Sequence, residues 1–144
     1  MQDFFILFIA MKKAYFNWSS GKDSALALYK IQQEKDHTID LLVTNVNREF
    51  ERVSMHGLHE SLLDKQAESM GISLLKNYLP AKVTMEVYDR LMRKQMEALR
   101  KQQYTHAIFG DIFLEDLRAY RETQLAQVGM QGVFPLWKRT PKRY

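Results

Sequence analysis

The chain contains no cysteine, which excludes disulfides, thiol chemistry and zinc–thiolate sites and is compatible with a reducing, cytoplasmic setting. It also has no apolar run long enough to cross a bilayer. The nearest approach, Phe4-Phe5-Ile6-Leu7-Phe8-Ile9-Ala10-Met11, is too short to span, follows no basic residue and precedes no small-residue cleavage site. It reads as an N-terminal extension, and no membrane partner is expected. Neither sign of charge dominates: the net charge is +4 and the isoelectric point near 9.3, a mild excess that suits anionic ligands or RNA and specifies neither. With 144 residues, 46% apolar and 26% charged, the chain has the make-up of one globular domain with a real core.

The stretch around which the rest is organised is Asn17-Trp18-Ser19-Ser20-Gly21-Lys22-Asp23-Ser24. The aromatic run Ala14-Tyr15-Phe16-Asn17-Trp18 before it suits a buried strand, and Ala25-Leu26-Ala27-Leu28-Tyr29-Lys30 after it is rich in helix formers. The small residues between them tolerate unusual backbone angles, so successive N–H groups can converge on one anion. The following helix points its unpaired amides and positive dipole end into the same space. Lys22 adds charge, Ser19 and Ser24 add hydroxyls, and Asp23 can cap the helix or hold a metal ion. These parts suit a polyphosphate with its magnesium.

Two familiar phosphate loops are excluded by what is missing. The Walker A pattern needs a glycine five residues before the Gly-Lys pair and a Ser or Thr directly after the lysine, where this chain has Phe16 and Asp23. The dinucleotide fingerprint fails because Gly21 is the only glycine in the turn. The run Ser19-Ser20-Gly21-Lys22-Asp23-Ser24 after a first strand instead resembles the PP-loop of the ATP pyrophosphatases, the adenine nucleotide alpha hydrolase superfamily, which cleave ATP to AMP and pyrophosphate.

Along the chain, the patterns predict a helix over Ser24–Glu34 with Ala25, Leu28 and Tyr29 inward, and a strand over Ile39–Asn45. A charged loop over Asn47–Gly57 leads to a helix over Leu58–Met70, with Leu58, Leu62, Ala67 and Met70 aligned and Gly71 as its stop. A short strand over Ile72–Leu75 precedes a long helix over Val83–Gln103. Its inner stripe is Met85, Tyr88, Met92 and Leu99, and Arg90, Arg93, Lys94, Arg100 and Lys101 form a solvated outer face. His106–Ile112 reads as a fourth strand, Glu115–Val128 as a helix with Leu117, Tyr120, Leu125 and Val128 inward, and Gly132–Trp137 as a fifth strand-like run that, because Pro135 cannot donate to a ladder, lies at an edge of the sheet or ends there. Alternating strands and helices imply a parallel sheet covered on both faces, with the ligand crevice at the carboxyl ends of the strands. With strand one central, the five-stranded order is 3-2-1-4-5, which brings Asp111 beside the loop after strand one.

That second wall runs from Phe109-Gly110-Asp111-Ile112 to Glu122 and puts a glycine, four carboxylates and the two arginines Arg118 and Arg121 around one strand end and the helix after it. Gly110 permits close approach, Asp111 can bind magnesium or a ribose hydroxyl, and Arg118 can hold a phosphate or carboxylate. Glu115 and Asp116 fit an ordinary charged helix start. His56 and His59 lack a third metal ligand nearby; His56 stands as a candidate substrate or nucleotide contact.

Taken together, Trp18 to Ser24, Gly110-Asp111-Ile112 with Arg118 and Glu122, and Pro135-Leu136-Trp137 resemble the ATP-binding domain of the diphthine ammonia ligase family. The Arg52–Gly57 loop, Gln66-Ala67-Glu68 and Gly71-Ile72 are similar to the same family. The resemblance implies an HUP-type, Rossmann-like three-layer α/β/α sandwich over residues 13–139, between an extension at 1–12 and a basic tail at 140–144. It implies that the acceptor-recognising region of such enzymes lies outside this chain or comes from another subunit, and a homo-oligomer is expected. The implied chemistry is an AMP-forming ligation in which a carboxylate attacks the α-phosphate of ATP, pyrophosphate leaves, and ammonia displaces AMP to form an amide. Ser19, Ser20, Gly21, Lys22, Asp23 and Ser24 would hold the phosphates, Asp23 and Asp111 the magnesium, and Val43 to Asn45 the adenine, with Lys22, Asp23 and Asp111 carrying catalysis. Two other readings fit the loop: a tRNA-modifying PP-loop enzyme using the basic helix and tail, and a non-catalytic ATP-binding module like the universal stress proteins. Thiolating members of the first kind rely on cysteines that are absent here, and the second kind carries its glycine-rich loop later in the chain.

Overall fold

A computed structural model describes residues 11–47, 52–53, 59–111 and 114–137. Among these described residues, six strands and four helices follow one another: β1 (Lys12–Asn17), α1 (Lys22–Glu34), β2 (His37–Asn47), β3 (Arg52–Val53), α2 (Glu60–Met70), β4 (Ser73–Leu79), α3 (Met85–Lys101), β5 (His106–Ile108), α4 (Glu115–Ala126) and β6 (Gln131–Val133). Five strands run parallel in the order β4-β2-β1-β5-β6, which is the expected 3-2-1-4-5 once the short β3 is set aside. β3 adds two residues antiparallel to the far end of β2, opposite Val46 and Asn47.

The central strand shows why both faces are covered. Ala14, Tyr15 and Phe16 are all buried, so alternate side chains must enter different cores. Ala14 and Phe16 pack with Ala27, Leu28 and Ile31 of α1 and Leu63 and Ala67 of α2. Tyr15 points the other way and packs with Met96 and Leu99 of α3 and Leu125 of α4. This is a three-layer Rossmann-like sandwich with two helices on each face.

Several inner stripes differ from the predicted ones. In α1 the buried positions are Ser24, Ala27, Leu28 and Ile31, while Tyr29 is 62% exposed and Ala25 also faces solvent. Ala27 lets the helix lie close to the sheet, and Ser24 turns in toward the loop. In α2 Ala67 is buried as expected, but Leu63 takes the core place expected of Leu62, which is exposed; Leu58 lies outside the described residues. In α3 Met96 and Leu99 are buried, Met85 is exposed, and Tyr88 and Met92 stop half-way. β5 ends at Ile108, short of the predicted Ile112. There the ladder gives way to other partners: Asn17 Nδ2 donates to the Ile108 carbonyl at 3.0 Å, and Phe109 N–H donates to the Val133 carbonyl at 2.9 Å. β6 ends at Val133, and Pro135-Leu136-Trp137 forms a turn that buries Leu136. Gly71 ends α2 at φ 68, as a left-handed cap. No helix among the described residues is long and apolar enough to cross a membrane.

Candidate functional site

The turn after β1 is built on Trp18. Its N–H donates to the Val43 carbonyl at 2.9 Å, and its own carbonyl accepts from the buried Thr44 hydroxyl at 2.7 Å. With both backbone groups fixed on the end of β2, the chain leaves the sheet in a set direction. Ser20 then adopts φ 69, and Gly21 caps α1 without any side-chain hydrogen bond. The first-turn amides of a helix have no intrahelical partners, so no capping side chain stands between this end and what it faces. Ser19 N–H donates to Ser24 Oγ at 3.2 Å, which turns the hydroxyl proton of Ser24 elsewhere.

The opposite wall comes from the end of β5. A Cβ placed on Gly110 would stand 3.2 Å from Ser24 Cα and 3.3 Å from the Asp23 carbonyl oxygen, both backbone atoms. The two turns therefore touch through a position that only glycine fills without displacing α1. Between them and the inner sides of α3 and α4 lies a cavity of about 750 Å³. Its rim and floor combine Lys22, Asp23 and Asp111 with Tyr15, Val43, Met92, Met96 and Phe109. Leu114 also lines it, 67% exposed and in the left-handed region at φ 65.

Asp111 faces Arg121, whose Nε lies 3.0 Å from Oδ2. Neither of these two buried atoms makes a well-directed hydrogen bond, so the contact is an ion pair that leaves hydrogen-bonding capacity unspent. Burial pushes the Asp111 carboxyl above its usual range, and the arginine charge opposes that only in part. The guanidinium of Arg121 rests 4.3 Å above the Phe109 ring, Phe109 stacks on Phe134 at 5.3 Å, and Arg118 lies against Phe134 and Trp137 at 4.5 and 4.7 Å. Tyr120 donates to Asp89, tying α4 to α3 beside the cavity.

Residues 11–132, more than half of the chain, match the sequence profile of the diphthamide synthase N-terminal domain. The chain belongs to that family. It is a PP-loop family of ATP-utilising proteins, in keeping with the resemblance carried by the loop. No curated protein matches the chain.

The cavity brings together Ser19, Gly21, Lys22, Asp23, Ser24, Val43, Asn45, Gly110 and Asp111 of the predicted site residues. Two others lie elsewhere. Ser20 turns its hydroxyl to Gln66 Oε1 at 2.8 Å, and Arg118 pairs with Glu122 at 3.2 Å behind the aromatic stack. His56 lies outside the described residues, and His59 caps α2 by accepting the Ser61 N–H. Among the described residues no group of three or more acidic or histidine side chains forms a ready-made metal cage. Arg121, Tyr88 and Met92 also line the cavity; the sequence put Arg121 near this strand end without a role and read Tyr88 and Met92 as core. Arg121 stands three residues after Arg118 on the same helix, which puts both on one side of α4.

Proposed function

We propose that the chain is an ATP-binding domain that splits ATP into AMP and pyrophosphate while activating a carboxylate, as in an amide-forming ligase of the diphthine ammonia ligase kind. The observation that supports this reading is the direct contact of the β1–α1 and β5–α4 turns at the mouth of one cavity, sealed at Gly110. The backbone amides of Ser20 to Ser24, with Lys22, hold the β- and γ-phosphates, and the Ser24 hydroxyl, already accepting from Ser19, donates to them. The adenine lies against Val43 to Asn45 at the end of β2.

Asp23 and Asp111 are the carboxylates that would hold magnesium, and Asp111 fits that task because its Oδ2 is buried with no directed hydrogen bond. Magnesium bound there would supply neutralisation of the polyphosphate charge. Arg121 adds a second cation to the wall and suits the α-phosphate or the acceptor carboxylate. An oxygen of that carboxylate attacks the α-phosphorus and pyrophosphate leaves; ammonia then attacks the acyl carbon and AMP departs, leaving the amide. Acceptor and ammonia donor both come from outside the chain. No protein nucleophile is needed, so positioning and charge stabilisation account for the acceleration.

The test is incubation of the purified protein with ATP, magnesium, ammonium and candidate carboxylates, with the nucleotides separated afterwards. AMP and pyrophosphate in equal amounts are expected. ADP as the product would overturn the assignment.

A further inference from the structure

Besides its backbone ties to β2, the β1–α1 turn is held by one side chain on α2. Ser20 holds φ 69, a left-handed conformation that a residue with a Cβ avoids unless something fixes it. Its hydroxyl donates to Gln66 Oε1 at 2.8 Å, and the same oxygen accepts the indole N–H of Trp18 at 3.0 Å. An indole nitrogen only donates, so the Gln66 amide must turn its oxygen toward the loop. Residues 18 and 20 are thereby tied to a single atom on a neighbouring helix, with Ser19 suspended between them and its N–H aimed at Ser24. Gln66 itself is not among the residues lining the cavity.

We infer that Gln66 is a positioning residue: it keeps Ser20 left-handed and so directs the amides of the Ser19–Ser24 turn toward a single anion. The inference rests on the reading of that turn as the ATP phosphate site. A left-handed residue swings the next peptide round, which lets neighbouring N–H groups face one concavity. Without an acceptor at Gln66, Ser20 returns to ordinary backbone angles and that concavity opens. Glycine at position 20 has no such preference and keeps the turn accessible without help.

The experiment compares wild type, Gln66→Met, which keeps length and volume but offers no acceptor, and the double variant Gln66→Met with Ser20→Gly. Two quantities are read: the calorimetric dissociation constant for ATP with magnesium, and solvent exchange of the Trp18 indole proton, assigned by its persistence in Trp137→Phe. Gln66→Met is expected to bind ATP about tenfold more weakly, the loss of a pair of hydrogen bonds and of loop shape, with an unprotected indole proton. Adding Ser20→Gly is expected to restore most of the affinity while the indole proton stays unprotected, which a merely structural role for Gln66 would not produce. Gln66→Glu retains an acceptor oxygen and is expected to keep that proton protected. Gln66→Met binding like wild type, or a loss that Ser20→Gly does not repair, overturns the positioning role alone. A wild type that binds no ATP overturns the phosphate-site reading and this inference with it.

Discussion

The two faces of the sheet solve different problems with similar helices. On the α1/α2 face, Phe16, Leu42, Val46, Leu63 and Ile31 are essentially inaccessible, and the layer closes on itself. On the α3/α4 face the core around Leu99, Tyr104 and Met130 lies toward the amino ends of the strands. Toward the carboxyl ends Tyr88, Met92, Leu117 and Tyr120 remain half-buried and surround open space. The cavity therefore comes from incomplete packing of one layer, while the other layer carries the β1–α1 turn that lines it. Stability and binding should separate along the same line.

The largest expected effect is on the closed face. Phe16→Ala should cost about 3–5 kcal/mol of unfolding free energy in a denaturant titration, whereas Met92→Ala, at the cavity, should cost less than about half of that. Equal losses would break the comparison. Next comes charge at the loop: Lys22→Ala should weaken ATP binding by about 2 kcal/mol, roughly thirtyfold, with the melting temperature close to wild type. Unchanged affinity would remove Lys22 from the phosphate site. Gly110→Ala should push the first turn of α1 by a few tenths of an ångström, since the neighbouring atoms are backbone. It should cost about 1 kcal/mol in ATP binding, read by calorimetry and compared with Leu114→Ala on the exposed rim.

The smallest effect belongs to the far end of the sheet. The rings of His37 and His106 lie 5.4 Å apart there. Burial holds both below the usual histidine value; His106 and Lys12 add to the effect at His37, and the Gln131 bond partly opposes it at His106. The folded state keeps them neutral, so stability present above about pH 6.5 should be lost as the pH falls and the unfolded chain takes up protons first. Melting curves at pH 7.5 and 5.5 should differ by a few degrees in wild type and by less in His37→Gln. A profile with no dependence on His37 would separate the acid response from this end of the molecule.

What was legible in the sequence was what is local. The turn from Trp18 to Ser24 declares itself because residue types, spacing and the flanking strand and helix all lie within one short segment, and strand alternation fixes the sheet order. Periodicity tells which side of a helix faces inward, but not whether anything fills the space it faces. Tyr88 and Met92 therefore read as core when they are cavity wall, and Tyr29 reads as inward when Ile31 takes that place. Arg121 was placed near this strand end but given no role for the same reason: a charged residue on a helix resembles a solvated one until Phe109 and Asp111 are brought under it by the end of β5. Arg118, by contrast, was read as a ligand contact and lies behind the stack, because Phe134 and Trp137 arrive from a part of the chain that its own helix does not foreshadow.

The contact between Gly110 and Ser24 has a consequence for how such a chain can change over generations. The atoms that a side chain at position 110 would meet are main-chain atoms, present whatever residue stands at 23 or 24, so no substitution there makes room for it. Drift can wander across the exposed sides of α2 and α3 while position 110 is held to glycine, so this seam should be among the slowest parts of the molecule to diverge.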